Sequence, residues 1–390
     1  MKKIKLNPFA LAGAAIALAV VSFYTGDALS ARVPLPFQAP TRQVDFSSLN
    51  TLYGLMQQNF DGQIDDQKAL DGAKAGLIAA GGDPYTVYLN AKSAKDLSDS
   101  LNGKLSGIGA EIGIKNSVLT VIAPLAGTPA EAAGLKTGDI IATINSEDTT
   151  GMDVDTAVSK IRGNAGTKVT LKIVRTGVPE PFNLTITRAD ITVPSVKWSM
   201  KNGNVAYIDI TRFGTDTASL VDQAATELKS QGATKVILDL RNDGGGYLDA
   251  GVSVASEFLD GGKPVVEERT GGKTTNKLTA ANGGKLIGLP TIVLINGGSA
   301  SASEIVSGAL HDNKDAQLVG EQSFGKGSVQ EIKDLPDGAQ LKVTVAHWYT
   351  PNGININKAG ITPDVIVKLT PDDFNANRDP QLDKALDMLK

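Results

Sequence analysis

Cysteine is missing from this sequence, and only two of its 390 residues are histidines, His311 and His347. The lack of cysteine excludes disulfides, thiolate nucleophiles and cysteine-ligated zinc. No His-Glu-x-x-His, Asp-Thr-Gly or Asp-Ser-Gly sequence occurs, so metalloprotease and aspartic-protease sites have no support. The net charge of -4 gives no reason to expect nucleic acid as a partner. We therefore expect no cofactor and no metal ion, and chemistry that uses other side chains.

Residues 1–31 have the features of an export signal. Three lysines near the start precede the apolar stretch Phe9–Phe23, and small residues follow near Ala31. A helix of that stretch would be roughly 22 Å long, shorter than the roughly 30 Å hydrocarbon core of a bilayer. This length slightly favours a cleaved signal peptide over a retained membrane anchor, and in both cases the rest of the chain leaves the cytoplasm. We expect a periplasmic or extracellular protein, with membrane association if the segment is retained.

The next two regions differ in composition. Residues 32–44 are rich in proline and are predicted to be a linker. Residues 45–104 are predicted to be a helical region. Within it, apolar residues recur at helical spacing from Asp45 to Ala80, and a further helix is predicted over Ser93–Leu101.

Residues 105–190 alternate short strands and turns with two short helices, and their motifs resemble those of a PDZ domain. The motifs are Gly107-Ile108-Gly109, Thr128-Pro129-Ala130, Ala133-Gly134-Leu135 and Gly138-Asp139-Ile140-Ile141. The resemblance implies that the segment Gly107-Ile108-Gly109-Ala110 binds the C-terminus of a peptide. Glycines let consecutive backbone N–H groups point at one carboxylate, and an open sheet edge can pair with the peptide. The expected partner is a protein or peptide with a free, apolar C-terminus; the alternative is a small β domain that only packs.

Strands alternate with helices in residues 191–370, which predicts a mixed α/β core. Buried strands are predicted at Val205–Ile210, Lys235–Leu240 and Thr291–Ile295, and a late strand at Gln340–Trp348. Residues 371–390 are predicted to contain a terminal helix that packs on this core. The expected fold class is therefore multidomain, α/β and α+β, with a β domain inserted between a helical region and the core.

Ser301 is the first candidate for chemistry, because it follows the predicted strand Thr291–Ile295 and begins a predicted helix. The sequence Ser301-Ala302-Ser303-Glu304 fits a capping box, so a purely structural role is one interpretation. A catalytic role uses the same position, since a helix N-terminus offers free N–H groups that can stabilise an oxyanion. The Ala302 N–H would be the natural donor. Local sequence leaves both interpretations open.

A serine nucleophile needs a base. His311 lies ten residues further along the same helix, roughly 15 Å away, and cannot reach Ser301. His347 lies on a predicted strand with no acidic residue placed to orient it, which favours a structural role. Lys326 is left. Burial disfavours its charged form and can lower its pKa, and the glycines on both sides allow unusual backbone angles.

Lys326 also ends a sequence similar to a phosphate-binding loop. Gly320 to Lys326 matches the first seven positions, but Gly327 stands where a serine or threonine should hold magnesium. A phosphate-binding loop also opens a helix, and the pattern from Ser328 to Leu335 leaves little room for one. Nucleotide binding is therefore the weaker alternative.

Several motifs in fixed order resemble those of the carboxyl-terminal processing peptidases. The family's nucleophile and lysine segments are similar to Asn296–Ile305 and Phe324–Gln330, and the 25 residues between Ser301 and Lys326 are also the family's spacing. Further similar segments are Asp83–Thr86, Asp239–Asn242, Tyr349–Gly353 and Gly360–Asp364. The resemblance extends from about Leu49 to Leu389, and one departure is Gly244, where the family often has proline.

The resemblance implies a role for each matching residue. Ser301 would be the nucleophile and Lys326 the general base, with Gln330 orienting the lysine. The oxyanion hole would be formed by the backbone amides of Ala302 and of Gly244 or Gly245. The resemblance also implies a peptidase core of crotonase-like or ClpP-like type.

The expected function is that of an exported serine endopeptidase that recognises protein C-termini through its PDZ domain and cleaves with a Ser–Lys dyad. The alternative is a catalytically inactive scaffold that binds C-termini. The sequence leaves open the substrate, and whether the chain forms a homodimer or a higher oligomer.

Overall fold

The computed structural model describes residues 45–390, except for the side chains of Asp155 and Phe374. The predicted export signal and linker, residues 1–44, lie outside the described residues. Between residues 45 and 390, no helix combines the length and the apolar character needed to cross a bilayer. The chain divides between Ala69 and Leu70 into two compact units.

The first unit contains helix α1, Ser47–Asn59, and the start of helix α2, Asp66–Ala79. The prediction of one continuous helix from Asp45 to Ala80 is wrong, because the backbone becomes extended at Phe60, with φ -76° and ψ 123°. Helix α1 buries none of its residues. Its apolar side chains recur at helical spacing, but they remain exposed.

The second unit begins with the rest of α2, strand β1 (Val87–Leu89) and helix α3 (Ala91–Leu101). Strands β2 (Lys104–Gly107) and β9 (Ala189–Thr192) then form an antiparallel pair. This pair brackets the region between them, so the chain enters and leaves that region at one place.

The bracketed region has an antiparallel sheet of order β3-β4-β5-β7-β8, with β6 paired to β5. Its elements are β3 Ala110–Lys115, β4 Val118–Pro124, α4 Pro129–Ala132, β5 Ile140–Ile144, β6 Glu147–Asp148, α5 Val154–Ile161, β7 Lys168–Val174 and β8 Phe182–Thr187. In β7, the buried residues Val169, Leu171 and Ile173 alternate with less buried ones. This pattern is typical of a sheet with one covered face, and the region has its own hydrophobic core.

The larger core is built on a sheet of order β10-β11-β12-β15-β16-β19. Strand β10 is antiparallel to β11, and the remaining pairs are parallel. The elements are β10 Val196–Lys201, β11 Val205–Ile210, α6 Thr217–Ser230, β12 Lys235–Asp239, α7 Leu248–Ser256, β15 Thr291–Ile295, α8 Ala302–Asp312, β16 Ala316–Gly320 and β19 Val365–Ile366. The predicted strand Thr291–Ile295 is confirmed as β15. All five of its residues are buried, as its unbroken apolar sequence indicates.

A second sheet of the core has the order β1-β18-β13-β14, with β17 paired to β18. Its remaining strands are β13 Pro264–Thr270, β14 Lys273–Thr279, β17 Ser328–Asp334 and β18 Gln340–Tyr349. Val266 and Trp348 from this sheet belong to the same buried cluster as Ile305 of α8. Helix α8 therefore packs against the sheet that carries the residues following Lys326.

The loops after β12 and β15 meet because the carboxyl ends of neighbouring parallel strands lie at one edge of a sheet. Asn242 N–H donates to Asn296 Oδ1, and Asn296 Nδ2 donates to Asn242 Oδ1, both at 2.9 Å. The Ser299 hydroxyl donates to the Leu240 carbonyl at 2.7 Å. These bonds hold the glycine loop after β12 beside the turn that carries Ser301.

Helices α9 (Pro371–Asn375) and α10 (Pro380–Met388) end the chain. Arg241 ties α10 to the sheet, since its guanidinium donates to both Asp239 and Asp379. Burial opposes the charge of this guanidinium, but the hydrogen bonds to the two carboxylates prevail and raise its pKa. The Asp239–Asn242 motif thus has a structural role beside its position near the site.

Candidate active site

Ser301 lies in a strained turn between β15 and α8. Its φ of 57° and ψ of -113° fall outside the regions that non-glycine residues usually adopt. Backbone strain of this kind costs about 1–3 kcal/mol and is concentrated at functional sites. Ser301 also occupies the N-cap of α8 and forms the predicted capping box with Glu304. The capping role and a catalytic role are therefore compatible at this residue.

Glu304 joins the serine segment to the lysine segment. This side chain is fully buried. Its Oε2 accepts from the N–H groups of Ser301 at 2.9 Å and Lys326 at 3.0 Å. Its Oε1 accepts from the Ser323 hydroxyl at 2.6 Å and the Gly325 N–H at 2.7 Å. Four donors compensate a carboxylate whose burial would otherwise cost several kcal/mol.

The Lys326 side chain is half-buried, and its ammonium lies 5.7 Å from the centroid of the Tyr85 ring. This distance is within the roughly 6 Å range of a cation–π contact. Burial lowers the pKa of Lys326, the positive charge of Lys342 lowers it further, and the Glu304 carboxylate opposes both effects. A lysine that releases its proton more easily is better suited to act as a general base.

The two candidate catalytic groups are not bonded to each other: among residues 45–390, no hydrogen bond joins the Ser301 hydroxyl to the Lys326 amine. The structure brings the two main chains together through Glu304, but the Lys326 side chain points to Tyr85. The Ser–Lys pairing therefore stays a prediction.

Gln330 does not contact Lys326 through a hydrogen bond in the described chain. Its Nε2 donates to Ser328 Oγ at 2.7 Å and to Thr344 Oγ1 at 3.3 Å. Nevertheless, Gln330 lines the same cavity as Ser301. Its predicted role in orienting the lysine is not tested by this geometry.

The cavity beside Ser301 has a volume of about 170 Å³. Its walls are mainly apolar and come from strands β13, β17 and β18 of the second sheet and from helices α3, α7 and α8. They include Leu97, Leu101, Leu248, Ile305, Ile332 and Trp348. The cavity therefore places an apolar space directly beside Ser301.

The predicted oxyanion donors lie beside the nucleophile. Ala302 N–H has no hydrogen-bond partner among the described residues. Gly245 has a φ of 90°, and a Cβ atom added there would lie 2.7 Å from Ser301 Cβ and 2.9 Å from Ala302 N. Only glycine fits at this position, because a side chain would occupy the space in front of the serine.

The Gly245 N–H, however, is already bonded in the resting structure. It donates to Asp243 Oδ1 at 2.8 Å. Gly244 has open space around it, and Gly246 lines the cavity with Ser301. The predicted second donor, Gly244 or Gly245, is thus placed near the site without being assigned.

The segment Gly360–Asp364, which resembles a motif of the family, and the residues just before it form hydrogen bonds with the loop that carries Lys326. Ser323 N–H donates to the Ile361 carbonyl at 3.1 Å, and Ile361 N–H donates to Ser323 Oγ at 2.6 Å. Lys358 N–H donates to the Gly325 carbonyl at 2.8 Å. A Cβ atom at Gly360 would lie 2.4 Å from the Ser323 carbonyl oxygen, so the close approach requires glycine.

The motif Asp83–Thr86 positions Tyr85, whose ring faces the Lys326 ammonium. Asp83 Oδ2 accepts from the Thr86 hydroxyl at 2.6 Å, and Thr86 Oγ1 accepts from the Thr344 N–H at 3.0 Å. These bonds fix Tyr85 against strand β18. Sequence analysis identified the motif by resemblance but gave Tyr85 no role, because the contact joins residues far apart in the chain.

The predicted peptide-binding loop borders a second cavity, of about 210 Å³. Gly107, Ile108, Gly109 and Ala110 all line it. The N–H groups of Ile108 and Gly109 donate to no other group within the described chain. Arg162, which sequence analysis did not single out, also borders this cavity. The loop therefore offers backbone donors next to an apolar space.

The histidines and the phosphate-binding interpretation find no place in this site. His311 Nε2 lies 3.1 Å from Asp364 Oδ1 in the last turn of α8, and His347 is exposed on β18. Lys326 is followed by strand β17, whereas a phosphate-binding loop requires a helix. In the part of the chain that the structure describes, no cluster of three acidic or histidine side chains could hold a metal ion.

Three family profiles match this chain. Peptidase family S41 matches residues 204–367, a PDZ domain matches residues 120–175, and the activating protease CtpB N-terminal domain matches residues 11–93. The S41 match contains both Ser301 and Lys326, and the PDZ match lies within the sheet of β3 to β8.

Curated relatives and a solved structure agree with these profiles. The carboxy-terminal processing protease CtpA of Bacillus subtilis is 37% identical, over 94% of this chain and 78% of that protein. The carboxy-terminal-processing protease of Bartonella bacilliformis is 40% identical, over 78% of this chain and 70% of that protein. The photosystem II D1 C-terminal processing protease matches with a TM-score of 0.53 and 31% identity, over 83% of this chain and 87% of that structure. The chain therefore belongs to the carboxy-terminal processing proteases, serine peptidases of family S41 that carry a PDZ domain.

Proposed function

We propose that this chain is an exported endopeptidase that cleaves peptide bonds with Ser301 as nucleophile and Lys326 as general base. The position of Lys326 carries the proposal. Its main chain is tied to the serine segment through Glu304, and its amine is half-buried with a lowered pKa. Export is supported by the sequence of residues 1–31 alone.

The proposed reaction begins when neutral Lys326 takes the proton of the Ser301 hydroxyl as Oγ attacks the substrate carbonyl carbon. The carbonyl oxygen becomes an oxyanion, stabilised by the Ala302 N–H and a glycine N–H. The Lys326 ammonium then gives its proton to the leaving amine, which breaks the peptide bond and leaves an acyl-enzyme. Water, deprotonated by Lys326, releases the new C-terminus and restores the serine.

The resting contact with Tyr85 implies a change before this reaction. Because Glu304 holds both main chains, we infer that the Lys326 side chain rotates from the Tyr85 ring toward Ser301. Cation–π attraction favours the ammonium over the neutral amine. Loss of the proton therefore weakens the contact with Tyr85 and favours the rotation that the base needs.

The PDZ domain is proposed to select substrates by their C-termini. The free N–H groups of Ile108 and Gly109 would donate hydrogen bonds to the terminal carboxylate, and the cavity beside them would hold the apolar side chain of the last residue. A protein tail held in this way is brought close to the peptidase core, which is part of the same compact unit.

A second candidate function is an inactive scaffold that binds C-termini. The missing Ser301–Lys326 hydrogen bond favours it. The mass of the bound protein distinguishes the two functions. A scaffold would bind the C-terminus of a protein and leave the mass of that protein unchanged, whereas a peptidase would shorten it.

Replacing either reacting residue should abolish cleavage without unfolding the chain. We expect Ser301→Ala, Lys326→Ala and Lys326→Arg each to lower kcat by about 10⁴-fold or more, since nucleophile and base act as one unit and guanidinium does not lose its proton. Mass spectrometry of an unfolded protein substrate, with circular dichroism of each variant, measures this. The exposed changes Ser219→Ala and Lys368→Ala are matched controls. Undiminished cleavage by Lys326→Ala, with the same products, would exclude the dyad.

The rate should rise with pH. Only neutral Lys326 is a base, so kcat/KM should increase through the neutral range toward its lowered pKa. Lys342→Gln removes a like charge, which raises the pKa of Lys326 and should move the rise to higher pH; Lys342→Arg keeps the charge and should not. The pH dependence of cleavage of one fluorogenic peptide tests both points. A flat wild-type profile, or identical profiles for Lys342→Gln and wild type, would contradict this account.

Glu304→Gln should lower kcat more than it changes KM. The amide keeps one acceptor oxygen but turns an NH₂ group toward backbone N–H donors, so the two segments separate slightly. Misplacement by about 1 Å can cost about 10²-fold in rate. Steady-state kinetics and the labelling rate of Ser301 by a fluorophosphonate measure the effect, with the exposed Glu331→Gln as control. Normal labelling of a folded Glu304→Gln variant would show that these bonds do not position the nucleophile.

The inactive Ser301→Ala chain should bind peptides through a free C-terminus. We compare two peptides of one apolar-ended sequence, with a terminal carboxylate or a terminal amide. Hydrogen bonds to a charged group contribute about 1.5–3 kcal/mol, so the amide should bind about tenfold more weakly or worse. Calorimetric titration gives both affinities. Equal affinities would mean that the PDZ domain does not recognise a C-terminus, although the cleavage chemistry could still stand.

A further inference from the structure

Asp243 is the one carboxylate beside the nucleophile, within the described chain, that has an unused buried oxygen. The residue has no exposed surface, and its Oδ2 has no hydrogen-bond partner. Its other oxygen, Oδ1, accepts from the Gly245 N–H at 2.8 Å. A half-satisfied buried carboxylate is costly, so its retention at this position calls for an explanation.

The main chain of Asp243 accepts two hydrogen bonds, and its buried carboxylate accepts one from the main chain, that of Gly245. Its carbonyl accepts from the Ala300 N–H at 2.9 Å and from the Ser303 hydroxyl at 2.9 Å. Both donors flank Ser301. The loop is thus attached to the nucleophile segment by its backbone, and a single side-chain bond decides where the Gly245 N–H points.

We propose that Asp243 gates the oxyanion hole: its carboxylate holds the Gly245 N–H in the resting chain, and catalysis requires release of that N–H toward the substrate carbonyl. This inference rests on the proposed function. It makes Asp243 a positioning residue, because it acts through Gly245 and does not touch the reacting atoms.

In the proposed gate, Arg212 is the donor for the released carboxylate. Arg212 Nε is also buried and without a hydrogen-bond partner in the described residues. The positive charge of Arg212 already acts on the Asp243 carboxyl. A turn of the Asp243 side chain toward Arg212 would satisfy both unpartnered atoms and free Gly245.

Ionisation should set the strength of the gate, because a carboxylate accepts a hydrogen bond more strongly than a neutral group does. Burial raises the pKa of Asp243 to about 7. The charged groups that act on it are Asp209 at the end of β11, which raises the pKa, and Arg212, which lowers it. Burial also raises the pKa of Asp209, to about 6. Asp243 is neutral below its pKa and holds Gly245 weakly; above its pKa it is charged and holds Gly245 firmly.

Two variants of the full chain test the gate. Asp243→Ala removes the acceptor, and we expect a peptide boronate, whose adduct with Ser301 places an oxygen in the oxyanion hole, to bind at least about tenfold more tightly than to wild type. Binding of the cleaved product peptide, which forms no oxyanion, should be unchanged. Equal or weaker boronate binding by a folded Asp243→Ala variant overturns the proposal.

Asp243→Asn keeps the shape of the side chain and a neutral hydrogen-bond acceptor. It therefore tests the proposed gate even if the alanine variant does not fold. The ratio of kcat/KM for Asp243→Asn to that of wild type should be near one at about pH 5.5 and rise severalfold by about pH 8.5. Titration of Lys326 is common to both proteins and cancels in this ratio. A constant ratio overturns the gate. If wild type itself does not cleave, or Ser301→Ala cleaves equally, the proposed function fails instead.

Discussion

The buried carboxylate of Glu304 is the interaction on which the site depends. Three of its four donors are main-chain N–H groups, one from the serine turn and two from the lysine loop. Main-chain donors cannot change rotamer, so these bonds fix the distance between two segments that are far apart in sequence. The strained backbone of Ser301 is held on one side by the same oxygen that holds the Lys326 amide on the other.

Fixed main chains leave the Lys326 side chain as the element that can move. Its surroundings serve two opposite needs. Burial and the charge of Lys342 favour the neutral amine, and the Tyr85 ring gives the ammonium a place to lie. A lysine base must spend part of each cycle protonated, and an apolar cavity alone would not accommodate its charge. In the proposed mechanism, the Tyr85 ring gives the ammonium a favourable contact while the proton is present.

Sequence analysis predicted the elements whose stability is local. The apolar run of β15 and the helix start at Ser301 are confirmed, because continuous burial and capping each leave a pattern in neighbouring residues. It failed where the backbone changes direction without a strong signal, as at Phe60. It gave Glu304 only its local role as a cap. Three of the four bonds of that carboxylate reach across about twenty residues of sequence to the lysine loop, and no periodicity encodes such a partner.

The PDZ domain is connected to the active-site region through the loops that carry Arg212 and Gly245. Gly103, just before β2, and Val193, just after β9, lie at the same end of the bracketing strand pair, where Val193 N–H donates to the Gly103 carbonyl at 2.9 Å. A Cβ atom at Gly103 would lie 2.1 Å from Arg212 Nη2, so this crossing packs directly on Arg212. The next residue, Phe213, donates to the Gly245 carbonyl at 3.0 Å. Two contacts thus connect the base of the PDZ domain with Gly245 beside Ser301. Packed interiors transmit small shifts rather than absorb them, so a shift at this crossing would reach the loop of Gly245 through Arg212 and Phe213.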